Sequence, residues 1–101
     1  MLTRIVRMSF TEEKVPAFME LFESVKHKIR AFPGCEYLEL LQDIDQPNVL
    51  MSYSKWCNDD ALQRYRQSDF FRGTWKATKV LFSDAPVAYS VNSLEKIDST
   101  L

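Results

Sequence analysis

The sequence predicts an α+β fold with a four-stranded antiparallel sheet and two helical regions on one face. Two amphipathic helical patterns alternate with four strand patterns in the order β-α-β-β-α-β. A helix of about 20 residues and a strand of about nine residues both span roughly 30 Å, so these elements match in length. Right-handed crossovers then place both helical regions on the same side of the sheet.

The first strand is predicted over residues 1–10 from its alternating apolar and mixed positions. Leu2 and Val6 share one face of the strand, and Arg4 interrupts that face. Ile5 makes the opposite face partly apolar. Both faces of this strand are therefore expected to contact protein.

The first helix is predicted over residues 13–32. Thr11 is a candidate cap, and Pro16 falls in the first turn, where its missing N–H costs little. Gly34 follows Pro33 and is expected to end the helix in the left-handed conformation. At 100° per residue the helix has one apolar stripe, which consists of Val15, Phe18, Phe22, Val25, Ile29 and Phe32.

The middle of the chain predicts a hairpin. Strands are expected over residues 35–44 and 49–57, and residues 43–48 between them are rich in turn formers. The last strand is predicted over residues 87–94. Residues 95–101 are then a tail or a contact with a partner.

The second helical region is predicted to break at Ser68. On one unbroken helix Leu62 would lie about 180° from Phe71, so a straight helix cannot bury both residues. Ser68 has the character of a new cap. Two helical segments are therefore expected, over residues 59–67 and 69–82.

Together these elements predict the ferredoxin-like βαββαβ arrangement. One face of the sheet remains without helices, although the first, second and fourth strands have apolar residues on both parities. An uncovered apolar face of this size is typical of an interface. The pattern therefore predicts a homodimer joined through the sheet faces.

The composition is typical of one small folded domain over residues 1–101. Hydrophobic residues make up 46% of the chain and aromatic residues 13%, which excludes disorder. The net charge of −1 gives no electrostatic case for nucleic acid or an anionic membrane. No apolar run reaches the roughly 20 residues of a membrane helix, and Met1 leads directly into a strand pattern without a signal peptide. With two cysteines, the sequence favours a cytoplasmic location.

Few residues offer nucleophilic or metal-binding chemistry. His27 is the only histidine and lies opposite the buried stripe of the first helix, which favours a solvated histidine over a catalytic base. Cys35 and Cys57 are interpreted as buried, unreactive thiols because neither has a histidine or lysine at motif spacing. A transition-metal site is not expected from this donor set, and no cofactor is predicted.

RNA-recognition modules share this arrangement of elements. Such modules display a basic, glycine-containing aromatic motif on the third strand. The corresponding segment here, Val-Leu-Met-Ser-Tyr-Ser-Lys-Trp-Cys, has no glycine and one lysine. RNA binding is therefore disfavoured.

Aromatic residues are the strongest remaining signal for a site. Core packing explains any one of them, but several clustered at a helix break can also shape a flat pocket for an aromatic ligand. The set consists of Trp56, Tyr65, Phe70, Phe71 and Trp75, together with Tyr37, Tyr53 and Tyr89.

Three segments spread over nearly the whole chain suggest a family. They are Ile-Arg-Ala-Phe-Pro-Gly-Cys at residues 29–35, Trp56 at the end of the third strand, and Ala-x-x-x-Tyr-x-x-Ser-Asp-Phe-Phe at residues 61–71. With these segments the chain resembles the antibiotic-biosynthesis-monooxygenase family of dimeric α/β barrels. The resemblance implies homodimers whose sheets face each other and pockets between helices and sheet. It also implies either cofactor-independent oxygenation of aromatic polyketides or quinols, or haem degradation.

The sequence departs from that family at positions that matter for chemistry. Family members often have a histidine where Tyr65 stands and another near Phe70, and this chain has neither. The haem-degrading branch has an asparagine in the first strand, which is absent here, and a histidine ligand at the position of Trp75. Because an indole nitrogen donates and cannot ligate iron, haem degradation is not expected.

The family resemblance, together with the aromatic cluster, implies a cofactor-independent monooxygenase that acts on a flat phenolic or quinol-type substrate. A deprotonated, electron-rich substrate reduces O₂ itself, so the protein needs to bind, orient and assist proton transfer. In this hypothesis Tyr65 hydrogen-bonds the substrate hydroxyl and Arg7 stabilises a developing phenolate. Stacking is assigned to Trp75, Phe71 and Trp56.

Two alternatives remain open. The missing histidines and the lack of a general base favour a non-catalytic dimeric module that binds a small apolar ligand, since an unperturbed tyrosine has a pKa of about 10. In the other alternative the chain is a structural dimer whose aromatic residues all belong to the core. That alternative predicts no pocket.

Overall fold

The computed structural model describes residues 1–98, which form one four-stranded antiparallel sheet with the strand order β2-β3-β1-β4. The strands are β1 (Leu2–Ser9), β2 (Cys35–Gln42), β3 (Val49–Trp56) and β4 (Val87–Asn92). The helices are α1 (Val15–Arg30), α2 (Asp59–Arg66) and α3 (Asp69–Lys79), and a 3-10 turn at Glu12–Lys14 precedes α1. This architecture confirms the predicted ferredoxin-like α+β fold.

The first helix begins two residues later than the sequence predicts. The side chain of Thr11 makes no capping hydrogen bond, so its assignment as a cap is wrong. Its carbonyl instead accepts a hydrogen bond of 2.8 Å from the N–H of Lys14, which closes the 3-10 turn. The α-helix follows at Val15 with Pro16 in its first turn. At the other end Gly34 has a φ of +91°, the predicted left-handed conformation.

The predicted break in the second helical region is confirmed. Asn58 Oδ1 accepts a hydrogen bond of 2.8 Å from the N–H of Ala61 and caps α2. Ser68 Oγ accepts one of 3.1 Å from the N–H of Phe71 and caps α3. Because the helix restarts in a new direction, Leu62 and Phe71 pack against the same core cluster, which one straight helix would not allow.

The two faces of the sheet have different surroundings. Successive residues of a strand alternate between faces, and in β1 the even-numbered residues point towards the helices. Val6 lies between Ser52 of β3 and Ala88 of β4 on this covered face. Ile5 and Arg7 consequently lie on the uncovered face.

The apolar core is divided into two clusters. The Trp56 cluster lies at the end of the sheet where β1 begins, and its buried members are Cys35, Trp56, Ala61, Leu62 and Tyr65. The Phe10 cluster lies where β1 ends, and its buried members are Met8, Phe10, Phe18 and Leu50. The middle of the covered face separates the two clusters.

The residues considered for nucleophilic chemistry differ in exposure. His27 is exposed and Cys35 is buried, as predicted. Cys57 is exposed, so the prediction of a second buried thiol is wrong. The reason is that β3 ends at Trp56, which leaves Cys57 in the turn that leads to α2.

The end of the chain is described only in part. Residues 95–98 are exposed and contain no helix or strand, while the remaining residues of the predicted tail, 99–101, lie outside the described range. None of the helices within residues 1–98 combines the length and apolarity that a membrane crossing requires.

Candidate functional site

A cavity of about 370 Å³ lies between the helices and the middle of the sheet. Its floor contains the side chains of Ser52, Ser54 and Ala88. These side chains are too short to reach the helices, so the space between the Trp56 cluster and the Phe10 cluster stays open. Ala88 belongs to β4, which is exposed along its whole length, so the cavity reaches the surface beside this strand.

The helices form an apolar roof over this floor. Most residues of α1 that line the cavity come from its apolar stripe, among them Phe18, Phe22 and Val25, and Leu21 beside the stripe lines it too. The wall opposite them comes from α3, through Phe71 and Trp75. The amphipathic pattern of both helices therefore supplies the cavity lining as well as the core.

Four aromatic side chains form a continuous row along one side of the cavity. Trp56 and Tyr65 stack with ring centroids 4.8 Å apart, and Tyr65 meets Phe71 edge-on at 5.0 Å. Phe71 and Trp75 stack at 5.9 Å with an interplanar angle of 11°. All three separations fall in the range of favourable aromatic pairs. The structure thus brings together four of the five site residues expected from the sequence.

The fifth expected residue, Arg7, lies apart from this row. It occupies the uncovered face of the sheet, where its Nη1 donates a hydrogen bond of 3.3 Å to Ser9 Oγ. The cation of β1 that lines the cavity is Arg4. Arg4 shares the face of Leu2 and Val6, and the sequence alone left open which face of β1 meets the helices.

The mouth of the cavity is cationic. Arg4 Nη1 donates a hydrogen bond of 2.9 Å to Ser90 Oγ of β4, and Arg66 at the end of α2 is a second lining residue. Burial and the positive charge of Arg66 lower the pKa of Arg4, and Asp59 opposes this shift. Arginine nevertheless stays protonated in proteins, so two positive charges face this end of the cavity.

Tyr65 lines the cavity and carries the phenol group of the aromatic row. In the part of the chain that the structure describes, no side-chain oxygen or nitrogen is both fully buried and without a partner. The Tyr65 hydroxyl has no protein partner among the same residues and therefore keeps some accessible surface. Burial raises the pKa of Tyr65 well above its ordinary value. The group is accordingly a hydrogen-bond donor at neutral pH rather than a base.

The remaining polar groups of the cavity limit its chemistry. Among the described residues, no histidine, aspartate or glutamate lines it. The same residues contain no group of three His, Cys, Asp or Glu side chains placed to hold a metal ion. The lining therefore offers stacking surfaces, one phenol donor, two guanidinium groups and the hydroxyls of serine and threonine residues.

The raised pKa of Tyr65 predicts an alkaline loss of stability. The unfolded tyrosine ionises near pH 10, whereas the folded one keeps its proton. The contribution of Tyr65 to the free energy of unfolding is therefore fully present below pH 10. As the pH rises further, this contribution falls by up to about 1.4 kcal/mol per pH unit. Tyr65→Phe is expected to remove this slope, which urea unfolding between pH 8 and 11 would measure.

At pH 8 the Tyr65→Phe variant and the wild type are expected to have similar stability. Because the hydroxyl has no protein partner within residues 1–98, Tyr65→Phe should change the free energy of unfolding there by less than about 1 kcal/mol. Tyr37 also has a raised pKa, caused by its hydrogen bond to Glu39, and contributes equally to both proteins. Identical slopes in the two proteins would contradict the prediction.

Comparison with known sequences identifies a family. The sequence model of the family described as antibiotic biosynthesis monooxygenase matches residues 1–77, about three quarters of the chain. No curated protein sequence matches the chain.

Solved structures share the fold at low sequence identity. One titled antibiotic biosynthesis monooxygenase has a TM-score of 0.88 and 17% identity, with 94% of this chain and 100% of that chain covered. Rv0793 from Mycobacterium tuberculosis has a TM-score of 0.86 and 18% identity, with 96% and 98% covered. A conserved protein from Methanosarcina mazei Go1 has a TM-score of 0.83 and 21% identity, with 89% and 90% covered. These similarities establish the fold alone.

Proposed function

Because the chain belongs to the antibiotic biosynthesis monooxygenase family, we propose that it oxygenates a flat phenolic or quinol-type molecule in the cavity without metal or flavin. The observation that carries the proposal is the row of four aromatic rings beside a cavity of about 370 Å³. Ligand pockets of small molecules begin at about 300 Å³ and are mostly apolar with a few placed polar groups. The cavity fits that description.

The lining supports a reaction in which the substrate is the reductant. Stacking along Phe71 and Trp75 orients the ring, and the Tyr65 hydroxyl donates to the substrate oxygen. The positive charges of Arg4 and Arg66 favour the deprotonated substrate, which lowers its pKa and allows the proton to leave to water. In this proposal Arg4 takes the role expected of Arg7. The anion then reduces O₂ directly.

Oxygen consumption with a panel of quinols and anthrones tests this proposal. We expect uptake above the rate of spontaneous oxidation, with one atom of labelled O₂ in the product and the other in water. Tyr65→Phe should lower kcat/KM by about 10- to 100-fold, since a hydrogen bond to a charged group contributes roughly 1.5–3 kcal/mol. Arg64→Gln, an exposed change outside the cavity lining, is the matched control. No turnover across the panel would contradict the proposal.

A non-catalytic module that binds a small ligand is the second candidate. The observation that favours it is the lining itself, which over residues 1–98 contains no histidine or carboxylate to act as a base. A raised melting temperature with naphthols, without any product, would support this function. Turnover of a compound that binds would exclude it.

We also propose that a second copy of the chain covers the uncovered face of the sheet. At its centre Ile5 lies between Tyr53 and Tyr89 of the neighbouring strands. Tyr53 meets Tyr37 edge-on at 5.9 Å, and Lys55 Nζ lies within 6 Å of both ring centroids. Exposed aromatic and aliphatic side chains on this scale are typical of an interface. A cytoplasmic location is part of the proposal, since the two free cysteines suit a reducing compartment.

Tyr89→Glu is expected to dissociate this dimer. Tyr89 is 54% exposed in the single chain, and a carboxylate there would lose its hydration inside a paired face. We expect the wild type to sediment at twice 11.8 kDa and the variant to dissociate at least about tenfold more readily. Val80→Glu, at a position that is 76% exposed beyond α3, is the control. A wild-type protein that sediments as a monomer would contradict the proposed dimer.

A further inference from the structure

The cavity contains charge of only one sign. Among the described residues that line it, Arg4 and Arg66 are the charged ones, and no acidic side chain accompanies them. The single ion pair within 4.0 Å in residues 1–98 joins Lys26 and Glu23, so neither arginine is paired with a carboxylate. Asp59 is the acid that acts on Arg4, and its influence is smaller than those of burial and Arg66. The pair therefore lacks a counter-charge.

Both arginines keep unused hydrogen-bond donors. Each guanidinium group has five N–H donors in a planar fork. Arg4 uses Nη1 on the hydroxyl of Ser90, and Arg66 uses Nη1 on the side chain of Gln63 at 3.4 Å. These partners are neutral, so they hold the two groups in place without neutralising them. Two forks of this kind match the two oxygens of a carboxylate.

The cationic end and the apolar end of the cavity are well separated. Arg4 and Met8 both lie on the floor, four residues apart on β1, which corresponds to about 13 Å along a strand. Phe18 and Trp75 cover the apolar end. The cavity therefore suits an elongated, flat molecule with an anionic group at one end.

We propose that Arg4 and Arg66 bind a carboxylate of the ligand, so that the substrate class is the hydroxylated aromatic carboxylic acids. The inference rests on the proposed function, whose flat phenolic ligand it specifies further. One carboxylate neutralises one of the two positive charges, and the remaining net charge of +1 favours the phenolate form of the same ligand. The two arginines are then specificity-determining residues of the cavity.

Three matched fluorescent probes test this assignment in the full-length protein. They are naphthol, a hydroxynaphthoate and a hydroxynaphthalenesulfonate, titrated at low ionic strength. We expect the carboxylate to bind at least about tenfold more tightly than naphthol, and added salt to reduce the difference. Arg4→Gln and Arg66→Gln should each remove this preference. Arg64→Gln, on the exposed side of the same helix as Arg66, should retain it.

The results separate this inference from the proposed function. Equal affinity for naphthol and the hydroxynaphthoate, or a preference for the carboxylate that survives in both variants, would overturn the inference and leave the proposed function in place. Tighter binding of the sulfonate would overturn the assignment to a carboxylate. Failure of all three probes to bind would overturn both proposals. If Arg4→Gln does not fold, as far-ultraviolet circular dichroism would show, the exposed Arg66→Gln decides the question.

Discussion

Replacement of Gly34 by alanine is expected to lower the free energy of unfolding by about 2–5 kcal/mol. The φ of +91° lies in the left-handed region, which costs a residue with a Cβ roughly 1–2 kcal/mol. The added Cβ would overlap the Cβ of Ala61 and lie 3.2 Å from Cys57 Sγ. Ala61 is fully buried in α2 and cannot withdraw, so overpacking adds roughly 1–3 kcal/mol.

The chain contains a matched control for this change. Gly73 lies inside α3, and beyond the neighbouring backbone of the helix itself no atom lies within 4 Å of an added Cβ, so Gly73→Ala should stabilise the protein by about 0.5–1 kcal/mol. Urea unfolding of both variants measures the difference. The melting temperature should fall by roughly 10–25 °C for Gly34→Ala. Equal stability of the two variants would show that the close approach of Gly34 to α2 is not a constraint.

The conformation of Gly34 is one of the structural features that could be predicted from the sequence. Its left-handed conformation follows from its position directly after a helix-ending proline, which is local information. The break at Ser68 was predictable for a similar reason, because Leu62 and Phe71 cannot share one helical face. Thr11 shows the limit of such signals. The carbonyl of Thr11 accepts the hydrogen bond that closes a 3-10 turn, and the Thr11 side chain makes no capping hydrogen bond.

The site was only partly predictable because it depends on strand parity. Both faces of β1 are partly apolar, so its sequence does not say whether Arg4 or Arg7 points towards the helices. The pairing with β3 decides this, and that pairing joins residues 40 to 54 positions apart. The aromatic row was predictable from its own residues. The cation that accompanies it was not.

The cavity arises because the inward-facing side chains in the middle of the sheet are small. Such a space is not predicted by a pattern of apolar and polar residues. Ser52 and Ser54 share the parity of Trp56, the residue of β3 that was assigned to stack on the substrate. This shared parity was the signal that Ser52 and Ser54 face the site, since alternate residues of a strand share a face. Small residues on the inward face between two large clusters leave a space that the helices cannot fill.

Ser52→Phe is expected to weaken ligand binding by about 100-fold, or roughly 2.7 kcal/mol. Ser52 lies in a central strand beside Val6, in the middle of the cavity floor. A phenyl ring at this position would occupy the space where the ligand stacks. The free energy of unfolding should stay the same or rise by up to about 2 kcal/mol, because filling a cavity adds apolar contacts and phenylalanine suits a strand. Titration with naphthol and hydroxynaphthoate measures the loss.

The same change at an exposed serine distinguishes blockage of the cavity from a general effect of an added phenyl ring. Ser24 is exposed on α1, where its hydroxyl donates to the carbonyl of Leu21 at 2.6 Å, and it does not line the cavity. Ser24→Phe should bind both probes as the wild type does. If Ser52→Phe keeps its fold and binds equally well, the ligand lies elsewhere and the aromatic row belongs to the core. Loss of binding with unchanged stability would locate the ligand between the two clusters, since only the space between them has changed.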